Sequence, residues 1–314
     1  MQLGSFILAW QGRVEAAAAS AKEGLTLAAR AGETSSGSFQ HAMHAHISAL
    51  RGDVDGCDDH RTAVMEHSDG QSTASVDWAW GRLALSRGRP EEALPVLLGV
   101  VSEPDSHPVV GLFATPDLVE AAVATGQREV AVEPYERFVS WGRAGAPWAA
   151  SVEPRLAALM ATDSDDRNAR FEAACRAPGL TYRPLESART RLCYANALRT
   201  QRRRSEAREQ LHVALGLFDG LQLPAWADLA RAALRASGEA TNHQLVPSEG
   251  MSGALTEQEL TIARLVSSGS SNREVADVLH LSSRTVEYHL SKIYVKLGLS
   301  SREQLAPALV SETR

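Results

Sequence analysis

The clearest chemistry in this chain lies near its end, where Arg284, Thr285, Glu287, Tyr288, Ser291, Lys292 and Lys296 fall within thirteen positions of one another. Read as a helix, these residues share a polar face. Val286, Leu290, Ile293 and Leu297 recur at intervals of four, three and four residues and form the opposite, apolar stripe. The polar face offers N–H and O–H donors, carboxylate and hydroxyl acceptors, and one aromatic ring. Such groups read base edges when a helix enters the major groove of DNA.

The elements that must hold this face are written around it. Thr256 is followed three residues later by Glu259, Ser271 by Glu274, and Ser300 by Glu303. Each pair is a capping box: the hydroxyl accepts from an N–H of the first turn and the carboxylate accepts from the cap N–H. Ser282 or Ser283 can cap the helix with the polar face, without the reciprocal acid. Gly269 and Gly298 stand where the preceding helices must end. These signals predict helices at about 256–268, 271–280, 282–297 and 301–311. Ile262, Leu265 and Val266 serve the core side of the first, and Val275, Ala276 and Leu279 that of the second. The short turn between the second and third is the sequence form of a helix-turn-helix.

In the order of its caps, turns and core positions, this segment resembles the LuxR-type DNA-binding domain, over about 55 of the 314 residues. The resemblance implies that Ser282–Leu297 is the recognition helix. It also implies that Glu287, Tyr288, Ser291 and Lys292 face base edges and that Thr256, Asn272, Arg273, Thr285, Lys296 and Arg302 hold phosphates. The last helix, about Ser301–Val310, would be a dimerisation surface, with Leu305, Leu309 and Val310 as its apolar edge. A two-fold homodimer on double-stranded DNA would call for an inverted-repeat operator. Glu287 and Ser291 depart from the basic residues many members carry there. Glu287 can accept from a cytosine amino group, and Tyr288 can pack on a thymine methyl. Residues 255–314 hold seven basic and seven acidic side chains. A neutral domain releases few counterions, so one copy should bind weakly and gain from pairing.

Composition bounds the remainder. A length of 314 residues allows two domains. A net charge of −6 argues against a nonspecific nucleic-acid coat. Cys57, Cys175 and Cys193 are too widely spaced for a disulfide framework or a zinc site. No apolar run is long enough to suggest a membrane span, and the start lacks the basic region of a signal peptide, so a cytoplasmic protein is expected.

Residues 1–238 read as an α-solenoid. Gly12-Arg13-Val14-Glu15-Ala16, Gly52-Asp53-Val54-Asp55, Gly88-Arg89-Pro90-Glu91-Glu92-Ala93 and Gly126-Gln127-Arg128-Glu129-Val130-Ala131 repeat a turn followed by a helix start, with glycines 40, 36 and 38 residues apart. Arg202-Arg203-Arg204-Ser205-Glu206-Ala207 follows two periods later, and the missing unit falls near Asp163–Asp166. Helix pairs of this length cannot bury an apolar stripe alone and must stack. The helix after Gly126 is expected to place Val132, Tyr135, Phe138, Val139 and Gly142 on one side. The array resembles tetratricopeptide repeats. Leu192–Glu239 also resembles the segment before the DNA-binding domain of the large ATP-binding LuxR regulators. The phosphate loop of those regulators is absent here: Lys22 lacks the glycines of a phosphate cradle. The chain reads as either a short regulator or the C-terminal portion of a longer one. Residues 239–254, rich in Gly, Ser and Pro, read as a linker, and 255–314 as the reader.

Other candidates are weaker. His41 and His44 can share a helix face, with His46 close by, but no Cys, Asp or Glu at four-residue spacing completes a metal set, so no metal is expected. Asp58-Asp59 and Asp163–Asp166 read as loop and helix-start charges. Arg202–Arg204 reads as a solvated turn that could also approach DNA. Trp78, Trp80, Trp141, Trp148 and Trp226 read as core anchors. No nucleophile stands at motif spacing from a base, so neither an enzyme nor a cofactor is indicated. The expected whole is an all-α protein, a tetratricopeptide-like solenoid followed by a four-helix LuxR-type helix-turn-helix domain. It would regulate transcription by sequence-specific DNA binding, with its arm sensing a partner or ligand. The alternatives are a helical interaction scaffold with vestigial DNA binding, or the reader subunit of a split NTPase regulator.

Overall fold

A computed structural model describes residues 8–9, 11–66, 70–102, 107–177, 179–238, 255 and 257–279, and beyond them 286, 289, 290, 293 and 305. Two compact units emerge, residues 1–240 and 241–314. No strand occurs among the described residues. The expected linker, 239–254, lies outside them.

The first unit, the arm, runs as α1 (Val14–Ala31), α2 (Thr34–Arg51), α3 (Val54–Met65), α4 (Gly70–Ser86), α5 (Pro90–Ser102), α6 (Pro108–Ala124), α7 (Val132–Arg143), α8 (Pro147–Met160), α9 (Ser164–Cys175), α10 (Pro184–Thr200), α11 (Arg204–Gly220) and α12 (Pro224–Ala236). Proline opens five of these helices, α5, α6, α8, α10 and α12, where its missing N–H is harmless. The repeated turns after the first end even-numbered helices. Gly12, Gly52, Gly88 and Gly126 all take left-handed backbone, with φ between 71° and 78°. At the equivalent later turn Arg202 adopts φ 62°, a conformation that costs a residue with a Cβ about 1–2 kcal/mol. The missing unit is found at Asp163, whose carboxylate accepts from the N–H groups of Asp165 and Asp166 and caps α9.

Each helix packs on the next, and the even-numbered helices α2, α4, α6, α8 and α10 also pack on one another in order. This is the stacking of helix pairs that the period required. The row then closes, because α12 touches α2 and α4. Alanines at 0% exposure, such as Ala17, Ala42, Ala79, Ala114 and Ala149, let the helices approach closely. Of the five tryptophans named above, Trp78, Trp148 and Trp226 are buried and Trp80 and Trp141 half-buried. Two local expectations are corrected. Val132 is exposed, because a 3₁₀ turn at Arg128–Ala131 precedes α7 and Ala131 and Phe138 take the core. Asp58 and Asp59 lie in the body of α3, whose cap is Asp53, accepting from the Gly56 N–H at 3.0 Å.

The second unit, the reader, contributes α13 (Glu257–Ser267) and α14 (Asn272–Leu279). Gly269, at φ 98°, ends the first, and Ser271 caps the second. Ile262, Ala263, Val266, Val275, Ala276, Val286, Leu290, Ile293 and Leu305 form one buried apolar cluster. Leu255, Leu265 and Leu279 pack against it.

Candidate nucleic-acid interface

The best-defined part of the interface is the start of α14. Glu274 accepts from the Ser271 N–H at 2.7 Å, while the Glu274 N–H donates to the Ser271 hydroxyl at 3.3 Å. That is the reciprocal box expected from the sequence. The Ser271 backbone and hydroxyl hydrogen bonds hold the Glu274 carboxyl below its ordinary value. Next to this cap stand Asn272, half-buried, and Arg273, exposed. They sit at the positive end of the helix dipole, which favours an anion such as a phosphate.

Val286, Leu290 and Ile293 are all buried, at 0%, 4% and 0% exposure. The stripe expected of the recognition helix therefore serves the core. His289 is half-buried beside it. Glu287, Tyr288, Ser291, Lys292, Thr256, Thr285, Lys296, Arg302, Leu309 and Val310 lie outside the described residues. Leu305, expected on the dimerisation edge, is completely buried in the reader's own core. Its place in a helical stripe was legible, but not which neighbour the stripe would meet.

Residues 253–308 match the family model described as bacterial regulatory proteins, luxR family. The C-terminal segment is a LuxR-family helix-turn-helix domain. An HTH-type transcriptional regulator of Mycobacterium bovis is 53% identical over 53 residues, 17% of this chain and 6% of that protein. The Fimbriae Z protein of Escherichia coli is 53% identical over 51 residues, 16% of this chain and 24% of its own. The transcriptional regulatory protein ComA of Bacillus subtilis is 46% identical over 50 residues, 16% of this chain and 23% of its own. The chain thus spans under a quarter of the length of these relatives. No solved structure matches it.

The arm holds a second chemically distinctive cluster, one that the sequence reading missed. Asp117 on α6 accepts from Trp78 Nε1 at 2.5 Å and from Arg82 at 3.0 and 3.1 Å, and pairs with Arg189. Arg189 also donates to Glu120 at 2.8 Å. Arg155 bridges Glu120 at 3.1 Å and Glu186 at 2.8 Å, and Trp148 Nε1 donates to Glu186 at 3.4 Å. Three guanidinium groups thus meet three carboxylates between α4, α6, α8 and α10. Burial would raise the Asp117 carboxyl, but Arg189, Arg82 and the Trp78 N–H together hold it well below the ordinary range. Burial likewise opposes ionisation of Glu186, and Arg155 and Arg189 overcome it. A signal was present on α6, where Asp117 interrupts a run of apolar residues.

The histidines are also brought together. His41 and His44 of α2 meet His60 of α3, with His41 Nδ1 and His60 Nδ1 at 2.9 Å and the His44 and His60 rings stacked at 4.7 Å. His46 lies edge-on to Trp78 at 4.4 Å, and its Nε2 is 3.1 Å from the Ser75 hydroxyl. Stacked rings do not point their lone pairs at a common centre, and among the described residues no group could hold a metal ion. Burial, then the neighbouring His44 and His41, pushes His60 down to about 4. Burial and His41 also lower His44. In the basic triplet, Arg203 is tied to Glu206 at 2.7 Å. No described helix is long and apolar enough to cross a membrane.

Proposed function

We propose that this protein is a sequence-specific DNA-binding transcriptional regulator, with the LuxR-family domain as its reader and the helical arm as its sensor of a partner or ligand. The observation that carries this reading is the match of residues 253–308 to the luxR family. The buried stripe of the recognition helix and the capped start of α14 support it. In this reading Glu287, Tyr288, Ser291 and Lys292 meet base edges. Thr256, Asn272, Arg273, Thr285, Lys296 and Arg302 position the reader on phosphates. Two readers, paired through the last helix, occupy an inverted repeat whose half-sites lie about one helical turn apart.

The test is selection of preferred DNA by the full chain, followed by affinities on preferred and random duplexes. Glu287→Ala and Tyr288→Ala are expected to lose about 1–3 kcal/mol on the preferred site only, because base contacts specify. Lys296→Ala is expected to weaken both duplexes alike, because phosphate contacts position. Equal losses on both duplexes for all three variants would show that the reading face is misassigned. The balanced charge of residues 255–314 favours a second reading, a helical scaffold with vestigial DNA binding. Failure to bind any selected duplex at low salt would establish that second reading over the first.

A further inference from the structure

Three of the four repeat glycines serve a purpose beyond their turns. A Cβ placed on Gly12 would lie 2.4 Å from Leu221 Cδ2, one on Gly52 2.4 Å from Ala225 Cβ, and one on Gly88 2.8 Å from Leu229 Cδ2. A Cβ on the fourth, Gly126, would meet nothing within 4 Å. All four need left-handed backbone, but only the first three are closely covered. Their covers come in chain order and four residues apart: Leu221 in the turn before α12, then Ala225 and Leu229 on it. Ala225 and Leu229 lie one helical turn apart and form a stripe across the Gly52 and Gly88 turns, and Leu221, in the turn that leads into α12, covers Gly12.

This stripe lies beside the one that roots α12 in the arm. The rooted side carries Trp226, Ala227, Ala230, Ala233 and Leu234, all buried. Trp226 stacks on Phe218 with ring centroids 5.8 Å apart and lies under the Arg189 guanidinium at 5.1 Å. Arg189 is the same side chain that pairs with Asp117 and Glu120. The closing helix is thus tied to the ionic network on one side and laid over the glycine turns on the other. The turn-facing stripe is only half-buried. With Leu221 it consists of two leucines and an alanine. After α12 the chain continues through residues 239–254 to the reader.

We propose that the turns at Gly52 and Gly88 form a docking face whose occupant is the chain's own α12, with the Leu221 turn that leads into it lying over Gly12, and that the arm controls the reader by seating or releasing that helix. The control half of the proposal rests on the DNA-reading function proposed above; the docking half does not. A ligand or partner that alters the packing around Arg189 and Trp226 has a direct route to α12. The seat is tightest at Gly52, where a Cβ would meet Ala225, which has no flexible end to move aside.

The test uses the full chain with Leu229→Glu, and with Leu229→Ala as a milder variant should the first fail to fold. Hydrogen exchange is read at the turns around Gly52, Gly88 and Gly126, and affinity is measured on the selected duplex. Exchange at the Gly52 and Gly88 turns is expected to rise about tenfold while the Gly126 turn, which α12 does not cover, stays unchanged. Affinity for the duplex is expected to shift by at least about fivefold in the same variants. Unchanged exchange, or an equal rise at all three turns, would overturn the docking face. A selective rise with unaltered affinity would overturn the control. If the unmutated chain itself binds no duplex, the DNA-reading function fails, and exchange still decides the docking face.

Discussion

Several charges are buried in the arm, and among the described residues of the reader only one is. The arm encloses Arg82, Asp117, Arg155, Glu186 and Arg189 at 7% exposure or less. The reader's cluster is entirely apolar, and Glu259 is the one buried charged side chain among its described residues. Burying an ion pair costs desolvation that only complete pairing offsets, so such a network is a poor source of net stability. A network of this kind can discriminate between packings. The arm's stripes are alanine-rich and similar from pair to pair, so apolar contact alone tolerates a slipped neighbour. A slipped neighbour would leave a buried guanidinium or carboxylate without its partner. In the reader, the left-handed Gly269 and the Ser271–Glu274 box fix locally where α13 ends and α14 begins.

The largest test of this contrast is Arg189→Ala. It leaves Asp117 and Glu120 buried without a cation they now share, and is expected to cost the arm about 3–5 kcal/mol. All six tryptophans precede residue 239, so intrinsic tryptophan fluorescence in denaturant follows the arm alone. A loss below about 1 kcal/mol would place the pair among weak surface bridges and end the distinction between the two cores.

Acid should separate the units by a smaller margin. His44, His46 and His60 are all held below the ordinary value of 6.5, burial being the first cause for each. The unfolded chain therefore binds protons before the folded arm does, and the arm loses stability as pH falls from about 6.5 toward 4. Asp117 and Glu186, depressed from 3.8 and 4.5 by their arginines, add a second loss below those values. The fluorescence midpoint is expected to fall across both windows. A midpoint constant from pH 7 to 4.5 would show that the histidines titrate as if exposed.

The smallest effect is local to the reader. Ser271→Ala removes one half of the capping box at α14 and is expected to cost about 1 kcal/mol, seen as faster amide exchange over 272–275, with the arm's fluorescence transition unmoved. A shift of the arm's transition would mean that the two units do not unfold separately.

Much of the reader was legible because its signals are local. The Ser271–Glu274 box, the left-handed Gly269 and the stripe of Val286, Leu290 and Ile293 all depend on groups within about one or two helical turns. In the arm, the period of its turns was legible for the same reason, and Gly12, Gly52, Gly88 and Gly126 all take the backbone their type allows. The structure alone decided the partners across that period. Asp117 meets side chains 35 and 72 positions away, and Ala225 of α12 comes to rest on Gly52. Leu305 turned inward and Val132 outward for the same reason. Sequence spacing determines which residues share a face. Which face meets which neighbour depends on how the small rotations between successive helix pairs accumulate, and that sum exists only in the folded array.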